Sequence, residues 1–106
     1  MNNIRLYKTD NDKEPFNIWL DSIKDKTTKA RIYHGIDKLA CGYESNVKHV
    51  GFGVYELRLM FGAGYRVYYG KIDDAIIVLL LGGDKSSQDD DIKKAHKYWE
   101  KLQETL

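Results

Sequence analysis

Between Gly53 and Lys85 the chain changes its hydrophobic pattern three times. Tyr55, Leu57, Leu59 and Phe61 alternate with Val54, Glu56, Arg58 and Met60, the period-two signature of a β-strand. Gly62-Ala63-Gly64 interrupts the alternation, which resumes with Tyr65, Val67 and Tyr69 set against Arg66 and Tyr68. Ile72-Asp73-Asp74 reads as a second turn. Ala75 to Leu81 is then an unbroken apolar run of strand length, which predicts burial on both faces and a central place in a sheet. Three consecutive strands joined by two tight turns are expected. Burying the larger apolar set leaves Glu56, Arg58, Arg66 and Tyr68 together on the other face, which this reading assigns to solvent. A one-residue slip would bury the charges instead.

The flanking segments carry the helical period. Pro15 suits the first turn of a helix, and Phe16, Trp19, Leu20 and Ile23 follow at i, i+3, i+4 and i+7, an amphipathic stripe. Thr27 or Thr28 can cap a second helix with the stripe Ile32, Ile36, Leu39 and Ala40, ended by Gly42. Gly35 inside it costs up to about 1 kcal/mol relative to alanine and predicts close packing on a neighbour. Near the C-terminus, Ser87 with Asp90 resembles a capping box, and Asp89 to Asp91 favour the positive end of a helix dipole. Ile92, Ala95, His96, Trp99 and Leu102 form that helix's apolar stripe. Asn3 to Lys8 alternates loosely and predicts a short strand, whereas Tyr43 to Val50 reads as irregular. The order is strand, two helices, three strands, helix: one α+β domain with a small, mostly antiparallel sheet, an N-terminal helical hairpin on one face and a C-terminal helix.

Composition narrows the function classes. A chain of 106 residues buries about 60–70% of its unfolded surface, so the core needs no disulfide, and the single Cys41 could not form one within the chain. No apolar run approaches a membrane span and no signal-peptide pattern is visible, so a cytoplasmic protein is expected. The net charge of +1 gives no bulk argument for nucleic-acid binding; that would require a local basic patch. His34, His49 and His96 lack paired ligand spacing, so no metal site is expected. Gly62-Ala63-Gly64 lacks the lysine and helix of a phosphate loop. Gly82-Gly83-Asp84-Lys85, by contrast, sets Lys85 just before a helix start, where free N–H groups favour anions. Arg58 and Arg66 can grip phosphate bidentately. With Lys85 and Tyr68 they make a candidate phosphodiester site, the alternative being a solvated sheet face with Glu56 as ion-pair partner.

Three motifs together resemble one family. They are Gly51-x-Gly53-x-Tyr55-Glu56-Leu57-Arg58, then Gly62-x-Gly64-Tyr65-Arg66-Val67-Tyr68-Tyr69, then Leu81-Gly82-Gly83-Asp84-Lys85-Ser86-Ser87-Gln88-x-x-Asp91-Ile92. They resemble the RelE/ParE superfamily of type II toxins, in its addiction-module killer, HigB-type branch. Trp19-Leu20 and Val47-Lys48-x-Val50-Gly51 also match. The resemblance implies a RelE-like fold and an mRNA endonuclease that cuts messages on the ribosome and is neutralised by a cognate antitoxin, often a HigA-like helix-turn-helix protein. It implies no cofactor. Arg66 matches the arginine at the scissile phosphate, Arg58 a basic catalytic strand position, and Lys85 a basic residue after the last strand; Lys48 joins them as an RNA contact. Glu56 stands where the best-studied RelE proteins have lysine, and Asp91 or its neighbours where those proteins have tyrosine. The general acid and base therefore stay open: Glu56 is a candidate base, Lys85 or Tyr68 a candidate acid. A ParE-like poison of DNA gyrase and a non-catalytic binding remnant are the alternatives on the same fold.

Overall fold

The computed structural model describes residues 2–106. Its strands are β1 (Asn3–Leu6), β2 (Val47–His49), β3 (Tyr55–Arg58), β4 (Arg66–Ile72) and β5 (Ile76–Gly83), and its helices α1 (Pro15–Ser22), α2 (Lys26–Ala40) and α3 (Gln88–Gln103), the last preceded by a 3-10 turn at Lys85–Ser87. The sheet order is β1-β5-β4-β3-β2. Only the β1–β5 pair is parallel; the others are antiparallel. The α+β architecture expected from the pattern is present, with one strand more. The irregular stretch before Gly51 contains β2, an edge strand of three residues, too short to show a period.

The expected helices form on the expected residues, with different caps. Asp25, not Thr27 or Thr28, caps α2: its carboxylate accepts from the Thr28 backbone N–H at 3.1 Å and from its hydroxyl at 2.7 Å. Asp84, not Ser87, caps the 3-10 turn, accepting from Ser86 N at 2.9 Å. The Ser87 hydroxyl donates to Asp91 Oδ2 at 2.5 Å, in place of a Ser87–Asp90 box. An aspartate two or three residues earlier competes successfully for the same orphan N–H groups.

Helices α1 and α2 lie on one sheet face. Phe16, Leu20, Ile32, Ile36 and Leu39 form a core there with Leu57, Leu59, Val67, Tyr69, Ile77 and Leu79. A β-carbon on Gly35 would come within 2.5 Å of Leu59 Cδ2, the close approach that explains this mid-helix glycine. The opposite face is not open to solvent, which corrects the expectation for Glu56 and Tyr68. Helix α3 covers it, and Tyr7, Val54, Tyr68, Val78, Leu80 and Leu81 pack there with Ala95 and Trp99. Both Glu56 and Tyr68 are 0% exposed. The charge of Glu56 suggested a solvated face; the apolar stripe of α3 required the same face as its partner.

A bulge in β5 sets the geometry of the sheet's end. Tyr69 pairs with Leu79 but Tyr68 with Leu81, so Leu80 has no partner on β4. Leu80 and Leu81 therefore both reach the α3 side, and the two glycines beyond them face opposite ways. A β-carbon on Gly82 would lie 2.0–2.4 Å from the Trp19 ring; one on Gly83 would meet Asp91 Oδ2 at 1.8 Å. Each glycine leaves room for a group from a different layer.

Gly82→Ala should destabilise the protein by about 1–3 kcal/mol, the cost of overpacking against the half-buried Trp19 ring. A urea melt checks this, with an unchanged m-value expected.

Candidate functional site

Three of the expected basic residues meet at the end of the sheet where β3 and β4 begin to part. Arg58, the last residue of β3, pairs directly across the ladder with Arg66, the first of β4, and Arg66 pairs in turn with Gly83. Lys85 follows two residues later, in the 3-10 turn. The β3–β4 loop closes over this end. Gly64, at φ +74°, brings its backbone so near that a β-carbon would lie 3.3 Å from Lys85 Cβ and 3.5 Å from Arg66 Nη1. The Lys85 amide donates to Ala63 O at 3.4 Å. Arg58, Arg66 and Lys85 thus line one cleft of about 330 Å³, together with Tyr65 and residues 59–62. No carboxylate lines it. The cleft wall also presents Met60, 74% exposed.

The three cations are held differently. Arg66 is anchored: Nη1 donates to Gly64 O at 3.0 Å, and Nε sits 3.6 Å from Glu56 Oε2. Its side chain is only 11% exposed. Arg58 and Lys85 are exposed, and neither enters an ion pair among the described residues. Two like charges directly opposite on a ladder repel. The carboxylate beneath them offsets this for Arg66 alone.

Glu56 is the centre of the polar layer under the cleft. Its Oε2 is shared between Arg66 Nε and Gln88 Nε2, the latter a 2.9 Å hydrogen bond from the first residue of α3. Tyr68 is its direct partner across the ladder. Burial first, then the nearby Glu56 and Asp91 charges, raise the Tyr68 hydroxyl far above its ordinary pKa. That hydroxyl faces the carboxylate without reaching a strict hydrogen bond. Tyr68 and Glu56 thus lie in the floor of the site and not on its surface. Lys48, exposed on β2 opposite Glu56, stands outside the cleft lining.

Sequence reasoning did not find Gln88 or Tyr65. The signal for Gln88 was available: a polar residue opening a helix beside a buried acid needs a partner as much as the acid does. Asp91, one turn on, is also buried. Burial raises its pKa above the ordinary carboxylate value, and the Ser87 hydroxyl partly counters this.

No known family model matches the sequence. An uncharacterized protein of Haemophilus influenzae is 44% identical over 80 residues, which span 76% of this chain and 81% of that protein.

Removing the carboxylate separates floor from surface. Glu56→Ala leaves a largely buried guanidinium uncompensated and should destabilise the fold by about 3–5 kcal/mol. Arg58→Ala, at an exposed position without a partner, should stay within about 0.5 kcal/mol. Chemical denaturation of the two variants checks the contrast. The raised pKa of Asp91 predicts a pH effect as well. Its contribution to stability is complete below the unfolded carboxylate value of about 4 and is lost as pH rises through the higher folded value. Asp91→Asn should therefore flatten the fall in stability over that window, read from melts at stepped pH.

Proposed function

From the premise that the chain belongs to one family with the Haemophilus influenzae protein, we propose that it is the toxin of a type II toxin–antitoxin system, a RelE-like, HigB-type endonuclease that cleaves mRNA on the ribosome. The observation that carries this reading is the meeting of Arg58, Arg66 and Lys85 in one cleft whose lining holds no carboxylate. Structural ion-pair networks balance their charges; this group leaves at least two cations free for a polyanion.

The chemistry follows from what each group can reach. Cleavage through the 2′-hydroxyl needs that proton removed, the phosphorane charge stabilised and the leaving 5′-oxygen protonated. The products are a 2′,3′-cyclic phosphate and a 5′-hydroxyl. Arg66, held by Glu56 and Gly64 O, offers a fixed guanidinium, and Arg58 and Lys85 add charge from either side. A preorganised cation stabilises developing charge without reorganising at the moment of reaction. Lys85 is the candidate proton donor, because its ammonium group carries N–H protons at the cleft wall. Glu56, without accessible surface, acts through Arg66 as a positioning residue. The 2′-hydroxyl proton passes to solvent water, and alignment of that hydroxyl falls to the ribosome-bound message, a contribution of proximity and orientation. A cognate antitoxin, HigA-like and helix-turn-helix, is the expected neutralising partner, and the cytoplasm the expected site of action.

Arg66→Ala should abolish growth arrest on induction, but it also leaves the buried Glu56 without a counter-charge. Arg66→Lys, which keeps a cation beside that carboxylate, should abolish arrest as well while the circular dichroism spectrum is retained. Mapping of cellular RNA 5′ ends should show new cuts inside coding sequences for the wild type and none for the variant. Lys85→Ala should slow cleavage by about 10²–10⁴, the span of a lost general acid. Growth arrest by Arg66→Ala equal to wild type, or DNA breaks in place of RNA cuts, would overturn the proposal.

A further inference from the structure

Beside the cleft just described lies a second one, between α2 and the end of β3. It measures about 190 Å³ and shares a wall with the first: residues 58–61 line both. Its far side is built by Arg31 and Lys38 of α2 and by Tyr43 and Asn46 of the segment leading into β2. It too lacks any carboxylate. Arg31 and Lys38 enter no ion pair among the described residues. Each lies over an aromatic ring instead: the Arg31 guanidinium is 3.9 Å from the Phe61 ring centroid, and Lys38 Nζ 5.9 Å from that of Tyr43.

Resting on the nuclease reading above, we propose that this second cleft is a subsite for a nucleotide flanking the cut, so that single-stranded RNA runs from the Arg66–Lys85 cleft over the Arg58–Phe61 wall towards α2. Three features fit a nucleotide. The cavity is small, of a size for one base and not for a docking helix. Its walls alternate cations with flat surfaces, the combination that holds single-stranded nucleic acid through phosphate contacts and stacking. The Arg31 guanidinium, laid on Phe61, offers a planar cation on which a base can stack. Arg58 stands between the clefts and serves both. The near-neutral net charge of the chain does not oppose this, because no carboxylate lines either cleft.

The test compares RNA length with position. A fluorescent single-stranded pentanucleotide carrying a 2′-deoxy substitution at the scissile position, and a dinucleotide with the same block, are titrated against the purified protein and against Arg31→Ala, Lys38→Ala and Arg66→Ala. Arg31 and Lys38 are exposed, so melts of these variants should match the wild type. The subsite predicts that Arg31→Ala and Lys38→Ala each weaken pentanucleotide binding at least about fivefold, with dinucleotide binding unchanged. The slope of log affinity against log salt should become shallower by about 0.7 for each cation removed. Wild-type pentanucleotide affinity in both α2 variants, with Arg66→Ala still impaired, would overturn the subsite and leave the nuclease reading standing. Unchanged RNA affinity together with lost binding of a co-purifying partner protein would give this surface to a protein and likewise overturn it. Failure of the wild type to bind either RNA, or full binding by Arg66→Ala, would remove the nuclease reading and the subsite with it.

Discussion

The structure depends on one buried carboxylate. Glu56 has no exposure to water, yet its neighbours are an arginine and a glutamine from two other elements. An isolated charge at this depth would be too costly to keep. Arg66 supplies the counter-charge and Gln88 a further donor, so β3, β4 and α3 are tied at a single oxygen atom. The tie determines more than stability. Arg58 and Arg66 face each other across the ladder, and without a negative group beneath them the two side chains would diverge. With it, one guanidinium is fixed in place while the other stays exposed and unpaired at the surface among the described residues. A fixed cation beside free ones is what a site needs when it must recognise a polyanion and then stabilise additional charge on it.

Much of this was legible in the sequence, and the failures share one physical cause. The alternation assigned Tyr55 and Leu57, with Val67 and Tyr69, to one sheet face and Glu56 and Tyr68 to the other, as the structure has them, because the side-chain period of a strand is fixed by its backbone. Strand β3 ends at Arg58, so Leu59 to Phe61 follow as loop. The helical stripes were equally plain. What the pattern could not reveal was the covering of the second face. Glu56 and Arg66 look like solvent-side residues because a single strand's alternation does not distinguish an ion pair under a helix from an ion pair in water. The continuous apolar run of β5 and the stripe of α3, read together, did carry that information. The strand β2 was missed because three edge residues give too short a sample of any period. The caps at Asp25 and Asp84 were missed because several candidate oxygens stand within two residues of each helix start, and local geometry chooses among them.

The site residues divide along the same line. Convergence of Arg58, Arg66 and Lys85 followed from strand register and two turns, both short-range properties. The roles of Tyr68, Gln88 and the α2 cations depend on how layers stack, which is a long-range property of the whole chain. Lys48 illustrates the limit: it belongs to a matching sequence segment and lies opposite Glu56 on the ladder, but the edge position carries it away from the cleft.

The unpaired Leu80 has a bearing on how this protein can vary. Its presence makes Gly82 look toward α1 and Gly83 toward α3. Deleting a single residue there would exchange the two, driving Trp19 and Asp91 against the wrong sides of the strand and rotating Lys85 off the cleft. Natural insertions and deletions should accordingly be excluded from the stretch joining β5 to α3. They should collect instead in the exposed turn around residues 10–13, before α1, where the polypeptide can lengthen without any core side chain changing sides.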